Sequence, residues 1–170
     1  LIGAGLAATG VIGAGIGIGK AAAIALGKDG YRVIVTDILE KEGKAVARRI
    51  NRSGSAEFHF MDVADTNNVN SVISTIENAY RKPLDVIVNN AGIAKTMPLR
   101  GLRDEDWDWI HEVDLKGMMR VARAASPKMR RAKKGAVVCL SSIAGYTVGW
   151  DKHIPYSAAK GGIAGFVKGL

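Results

Sequence analysis

Short apolar runs alternate along the chain with longer segments that have helical periodicity. The apolar runs are predicted strands, at residues 6–12, 32–36, 56–61, 84–88 and 136–140. The predicted helices are residues 21–28, 40–52, 66–81 and 104–131, and a last one that contains residues 156–170. This alternation is typical of an α/β fold, in which a doubly wound parallel sheet carries helices on both faces. No repeat or linker interrupts it, so one domain over residues 1–170 is predicted.

A glycine-rich segment lies between the first predicted strand and the first predicted helix. It contains Gly13, Gly17 and Gly19. The backbone N–H groups of such a turn can approach a pyrophosphate at the positive end of the helix. A merely flexible glycine segment would have the same composition. The segment therefore indicates a phosphate site only because of its position between a strand and a helix.

Polar side chains stand at the carboxyl ends of the other predicted strands. Asp37 follows Gly19 by 18 residues, a spacing at which a carboxylate can hydrogen-bond the adenosine ribose of a dinucleotide. The same charge would repel a 2′-phosphate, so NAD is predicted rather than NADP. Asp62, Asn89 and Ser142 end three further strands, and these residues should share one edge of the sheet. An aspartate at a strand end is also an ordinary turn former.

Tyr156 and Lys160 lie four residues apart in the last predicted helix, so their side chains should be neighbours. A nearby positive charge favours the deprotonated form of a phenol, which suits a tyrosine to proton transfer. The spacing also recurs by chance as an exposed helical pair. Residues 93–97 and 146–154, which include Trp150 and His153, are predicted to line a pocket near Ser142.

Together these motifs resemble the short-chain dehydrogenase/reductase family over residues 6–170. The motifs are G-x-x-x-G-x-G at Gly13, Gly17 and Gly19, N-N-A-G at residues 89–92, Ser142, and Y-x-x-x-K at Tyr156 and Lys160. The resemblance implies a Rossmann-like fold. It also implies an NAD-dependent enzyme that transfers a hydride between the nicotinamide and a secondary alcohol or ketone.

The resemblance implies a role for each matching residue. Tyr156 would be the general acid/base, Lys160 would favour its phenolate and bind the nicotinamide ribose, and Ser142 would hydrogen-bond the reacting oxygen. The cofactor residues that it implies are Gly13, Gly17, Ile18, Gly19, Asp37, Asp62, Val63, Asn89, Ala91, Gly92, Tyr156 and Lys160.

Two positions depart from the family pattern. Ile12 stands where the family has threonine before Gly13, and Asp114 replaces the asparagine of the long helix. In relatives the main-chain carbonyl at the second position holds a water of a proton relay, and this role survives the change. The added carboxylate alters the charge of that relay, so Asp114 is a candidate catalytic residue with a changed side chain.

The net charge of +8 is concentrated near the end of the 104–131 segment. A basic run there comprises Lys128, Arg130, Arg131, Lys133 and Lys134. The run could be a solvated helix end or could attract an acidic partner. No aromatic residues interleave with it, so nucleic-acid binding is not expected. An alternative function is a 3-oxoacyl-thioester reductase that receives an acyl-carrier protein at the run, and a second alternative is a non-catalytic NAD-binding protein.

The remaining features limit the location and assembly of the protein. Residues 1–19 carry no charge but are rich in glycine and alanine, so neither a membrane span nor a signal peptide is expected. The single Cys139 indicates a reducing, cytoplasmic compartment, and the three histidines lack metal-ligand spacing.

The chain starts without methionine and stops within a predicted helix, so we expect it to be incomplete. Relatives assemble through their long helices, which predicts a homo-dimer or tetramer measurable by light scattering.

Overall fold

The computed structural model describes residues 2–5 and 14–170, and these residues form a single five-stranded sheet flanked by helices. The elements are β1 (Ile2–Gly5), α1 (Ala14–Lys28), β2 (Arg32–Asp37), α2 (Glu40–Ile50), β3 (Ser55–Phe60), α3 (Thr66–Tyr80), β4 (Val86–Asn89), α4 (Asp104–Asp114), α5 (Lys116–Arg131), β5 (Ala136–Cys139) and α6 (Ile154–Gly169). The strand order is β3-β2-β1-β4-β5, and every neighbouring pair is parallel. The order reverses beside β1, which creates the crevice where sheets of this type bind ligands.

Both faces of β2 are covered by helices, as the alternation of strands and helices predicts. Val33 and Val35 of β2 pack with residues of α1 and α2, whereas Ile34 packs on the opposite face with residues of α3 and α5. Five consecutive residues of β2 are buried, which is typical of a strand inside a parallel sheet. The predicted doubly wound α/β fold is therefore confirmed.

The strand register places several residues of the candidate site in one row. Asn89 at the end of β4 lies opposite Gly5 of β1 on one side and Cys139 of β5 on the other. Thr36 of β2 lies opposite Gly5, so Asp37 extends one residue beyond this row. The carboxyl edge of the sheet thus collects the residues that follow β2, β4 and β5.

The predicted helix over residues 104–131 is two helices in the structure. Leu115, with φ −116° and ψ −55°, separates α4 from α5. This break lets α4 pack against α6 while α5 packs against α3. It also brings Asp114, the last residue of α4, against the loop that follows β4.

Two predictions concern the start of the chain, one of a strand and one of a helix. The first strand in the described residues is Ile2–Gly5, whereas the predicted strand at residues 6–12 and the glycine Gly13 lie outside them. The first helix was predicted over residues 21–28 but begins at Ala14, so Gly17 and Gly19 are helical rather than part of a turn. Glycine costs about 1 kcal/mol per residue in a helix, and packing of α1 against β2 and α2 overrides that cost.

Among the helices that the structure describes, none has both the length and the apolar character needed to span a bilayer.

Candidate active site

Helix α6 places Tyr156 and Lys160 on the same side, as their spacing predicts. The Lys160 Nζ atom lies 5.6 Å from the centroid of the Tyr156 ring. The ring of Tyr156 packs against a buried apolar cluster that includes Ile93, Met97 and Ala159. The position of the phenol is therefore fixed by the loop after β4 as well as by its own helix.

Lys160 is almost completely buried, although it is a lysine. Its Nζ donates a hydrogen bond to the carbonyl oxygen of Leu140, 3.1 Å away, just after β5. It also faces the Oδ2 atom of Asp114 at 3.5 Å. Burial lowers the pKa of Lys160, and the negative charge of Asp114 opposes that effect.

Asp114 is the most buried charged residue of the site, with no exposed surface. Its Oδ1 atom accepts a hydrogen bond from the backbone N–H of Ile93 at 2.7 Å. Its Oδ2 atom accepts no hydrogen bond from the described residues and faces Lys160. Burial raises the pKa of Asp114 to about 6, against the lowering effects of Lys160 and of the Ile93 hydrogen bond.

Gly92 allows this ion pair to approach the backbone. A Cβ atom at Gly92 would lie 3.0 Å from Lys160 Nζ and 3.2 Å from Asp114 Oδ2. The preceding Ala91 is buried, and so is Asn90. The backbone of the N-N-A-G segment therefore packs closely against the charged pair.

Ser142 lies in the loop after β5, and it is not in hydrogen-bond contact with Tyr156 within the described residues. Its Oγ accepts a hydrogen bond from the backbone N–H of Ala144 at 3.1 Å. It borders a cavity of about 420 Å³ that Tyr146 and Ala164 also line. The structure thus places Ser142 near α6 without joining it directly to the Tyr156–Lys160 pair.

The neighbouring Ser141, which the sequence did not single out, is the residue that ties this loop to α6. Its Oγ donates a hydrogen bond to the carbonyl oxygen of Lys160 at 2.7 Å. Two glycines strengthen the contact, because Cβ atoms at Gly145 and Gly161 would collide with the backbone of the opposing segment. A pair of glycines flanking the Y-x-x-x-K segment was the available signal for this close approach.

The side chain of Asn89 contacts the elements that surround β4. Its Nδ2 atom donates a hydrogen bond to the carbonyl oxygen of Met118 at 3.3 Å and lies 3.5 Å from the sulfur of Cys139. These contacts join β4 to α5 and to β5. Burial raises the pKa of the Cys139 thiol, so this cysteine is a packed, protonated neighbour of the site.

The predicted adenosine side of the site lies at the ends of β2 and β3. Asp37 is buried, and its Oδ1 accepts a hydrogen bond from Leu39 N at 2.9 Å. The Asp62 Oδ1 accepts from Ala64 N at 2.8 Å. Val63 is held by Arg120, whose Nη1 donates to the Val63 carbonyl oxygen at 3.2 Å. No local pattern around Arg120 indicated this buried contact.

The described residues fit a dinucleotide at this edge. Among the described residues, nothing lies within 4 Å of a Cβ position at Gly17, so α1 is open at this residue. Ile18 beside it is half exposed, whereas Gly19 is buried. A buried carboxylate at Asp37 and a buried ammonium at Lys160 supply the acceptor and donor that ribose hydroxyls require. No cluster in the described part of the chain could hold a metal ion.

Aromatic residues form a wall beside Tyr156. The Trp150 ring stacks on His153 with centroids 3.7 Å apart and meets the Tyr156 ring edge-on at 5.3 Å. Met97 N donates to the Lys152 carbonyl oxygen at 2.5 Å, and Met97 forms a parallel bridge with His153. The two predicted pocket segments, residues 93–97 and 146–154, are therefore in contact.

Comparison with known proteins decides the family. The family model described as short chain dehydrogenase matches residues 8–170. The chain belongs to the short chain dehydrogenase family. Members of this family are oxidoreductases that bind nicotinamide cofactors, in agreement with the sheet order and the carboxyl-edge site.

The curated relatives of this chain include two kinds of enzyme. A 3-oxoacyl-(acyl-carrier-protein) reductase of Staphylococcus aureus is 36% identical over 160 residues, which are 93% of this chain and 64% of the relative. A cyclopentanol dehydrogenase of a Comamonas species is 35% identical over 159 residues, covering 93% of this chain and 63% of the relative. The chain thus spans slightly less than two thirds of the length of these relatives.

Solved structures agree with the family assignment. A metagenomic short-chain oxidoreductase in complex with NADP has a TM-score of 0.87 and 32% identity, covering 98% of this chain and 73% of that one. A putative short-chain alcohol dehydrogenase from Sinorhizobium meliloti has the same TM-score and 31% identity, covering 99% of this chain and 64% of that one. The Rossmann-like fold is therefore confirmed.

Proposed function

We propose that the chain is part of an NAD-dependent oxidoreductase that interconverts a secondary alcohol and a ketone. The observation that carries this proposal is the placement of Tyr156 beside the buried ammonium of Lys160 at the carboxyl edge of the sheet. A bound nicotinamide would supply or accept the hydride at the substrate carbon. The relatives named as reductase and dehydrogenase support the reaction class.

The residues of the chain would divide the work on the substrate oxygen. Tyr156 would exchange a proton with that oxygen, and the Lys160 charge would stabilise the phenolate that results. Ser142 accepts a hydrogen bond from Ala144 N, which leaves its own O–H to be donated to the substrate oxygen. The backbone of residues 89–92 and the glycines at 13, 17 and 19 would border the cofactor, with Ile18 between the last two.

A substrate panel tests the reaction class directly. Secondary alcohols with NAD and ketones with NADH should each change the absorbance of the nicotinamide at a rate proportional to enzyme. No turnover with any member of the panel, by a folded protein that binds NADH, would contradict the proposal and favour the non-catalytic NAD-binding alternative. The identity of the best substrate would also separate the two kinds of relative.

Cofactor choice can be tested at Asp37. The Asp37→Asn variant keeps an oxygen for Leu39 N and removes the charge that would face a 2′-phosphate. We expect the ratio of kcat/KM with NAD to kcat/KM with NADP to fall by about tenfold or more, because like charges in contact cost several kcal/mol. Asp29→Asn, in an exposed turn, is the matched control. An unchanged ratio in Asp37→Asn would contradict the NAD assignment.

The carrier-protein alternative depends on the position of the basic run. The run covers the last turn of α5 and the loop before β5, so it is at the amino edge of the sheet, opposite Tyr156 of the same chain. Lys128 pairs with the buried Glu77 at 3.0 Å, and Lys134 pairs with Asp85 at 2.8 Å. The Lys134 contact holds the pKa of Asp85 well below its usual range. Part of the positive charge is thus already neutralised.

Charge reversal separates the two functions. If the run is only a solvated helix end, the Arg130→Glu/Lys133→Glu variant should change KM by a small amount that is the same for free and for carrier-bound substrates. The Arg48→Glu/Arg49→Glu variant on the exposed side of α2 is the matched control. A rise in KM of about tenfold for carrier-bound substrate alone would favour the 3-oxoacyl reductase, because rim charges steer association.

A further inference from the structure

A buried carboxylate faces a buried ammonium where α4 meets α6. Asp114 has no exposed surface, and Lys160 is 4% exposed. The Asp114 Oδ2 and Lys160 Nζ atoms are 3.5 Å apart. Charges removed from water interact more strongly than surface charges, and a buried charge without a partner is costly. Each of the two residues is therefore the main compensation for the other.

Neither charge can easily move away. The Asp114 Oδ1 atom is held by Ile93 N at 2.7 Å, which aims the second carboxylate oxygen at Lys160. The ammonium is held from the other side by the Leu140 carbonyl oxygen at 3.1 Å. Gly92 closes the remaining space, since even a Cβ atom there would approach both charged groups. The ion pair thus joins the loops after β4 and β5 to α6.

An asparagine at position 114 could not fill the same role. Its amide oxygen could still accept from Ile93 N, but its NH₂ group would then face the ammonium. Both groups are donors only, so no hydrogen bond could form between them. The contact with Lys160 therefore requires a carboxylate, which is the group by which this chain departs from its family.

We propose that Asp114 is a positioning residue whose carboxylate is the counter-ion that keeps Lys160 protonated and fixed beside Tyr156. The titratable groups that face the pair are His111 on α4, Cys139 on β5 and Tyr156 on α6. Burial alone lowers the pKa of Lys160, and Asp114 is the largest opposing influence. The effect of Asp114 on the protonation of Lys160 does not depend on the proposed function, whereas the effect of Asp114 on turnover rests on that function.

The direct test is the titration of Lys160 in Asp114→Asn. NMR of protein carrying ε-13C-lysine reports the protonation of each ammonium, and Lys160→Met assigns the signal. We expect Lys160 to bind its proton about tenfold or more weakly in Asp114→Asn, because the opposite charge 3.5 Å away is lost. Asp108→Asn, an exposed position on α4, removes the same charge without this effect. An unchanged Lys160 titration in Asp114→Asn would overturn the proposal.

A second variant covers the case in which Asp114→Asn does not fold. Combining it with Lys160→Met removes the uncompensated ammonium, so the double variant should regain folding; continued failure to fold would overturn the proposal. In folded variants, the alkaline limb of kcat/KM for ketone reduction should move to lower pH in Asp114→Asn and not in Asp108→Asn. If the unsubstituted protein turns over no substrate, the proposed function fails, and the NMR titration still decides the role of Asp114.

Discussion

Replacing Tyr156 with phenylalanine should lower kcat/KM for alcohol oxidation and ketone reduction by at least about a hundredfold, since a positioned acid/base contributes about 10² to 10⁴. The substitution removes only the hydroxyl. The ring should keep its contacts with the Ile93 and Met97 cluster and its edge-on contact with Trp150. The fold and the affinity for NADH should therefore be unchanged.

The measurement is steady-state kinetics alongside NADH binding by fluorescence titration. Tyr31→Phe is the matched control, because Tyr31 is exposed and precedes β2 at the amino edge of the sheet, away from Tyr156. We expect it to leave turnover close to that of the unsubstituted protein. Full activity in Tyr156→Phe would remove the phenol from the reaction and reject the proposed division of roles.

Replacing Gly145 with alanine should destabilise the protein by about 2–4 kcal/mol, because two independent costs combine at this residue. Gly145 has a φ of +80°, which side chains rarely adopt, and a Cβ atom would collide with the backbone carbonyl of Ser157. Relieving the collision requires the loop after β5 to move away from α6. That movement would displace Ser142 relative to Tyr156, so kcat should fall as well.

Urea denaturation measures the first effect, and kinetics on the folded fraction measures the second. Gly149→Ala is the control in the same loop, since nothing lies within 4 Å of its Cβ position and its φ is not positive. Its stability should change by less than about 1 kcal/mol. Equal stability of the two variants would show that the close approach of the loop to α6 is unimportant.

The buried strands and the order of the site residues were predictable, because parallel strands read as apolar runs and their carboxyl ends meet. The proximity of the Tyr156 and Lys160 side chains to each other was predictable from their helical spacing alone. In each case the information is local or follows from topology.

Properties that depend on tertiary packing could not be predicted. Asp114 was recognised as a departure from the family, but its complete burial and its contact with Lys160 require the break at Leu115. The tie between Ser141 and the Lys160 carbonyl joins residues 19 apart through a loop whose path no pattern specifies. The helical start of α1 at Ala14 likewise reflects packing that outweighs the propensity of glycine.

The bridge between Met97 and His153 joins the two segments that the sequence predicts to line the pocket near Ser142. It makes the segments after β4 and before α6 one mechanical unit, anchored by the Met97–Lys152 hydrogen bond and the Trp150–His153 stack. A substitution that displaces one segment should therefore displace the other as well. Adaptation to a new substrate should proceed through paired changes, and libraries that vary both segments together should reach specificities that single-segment libraries do not.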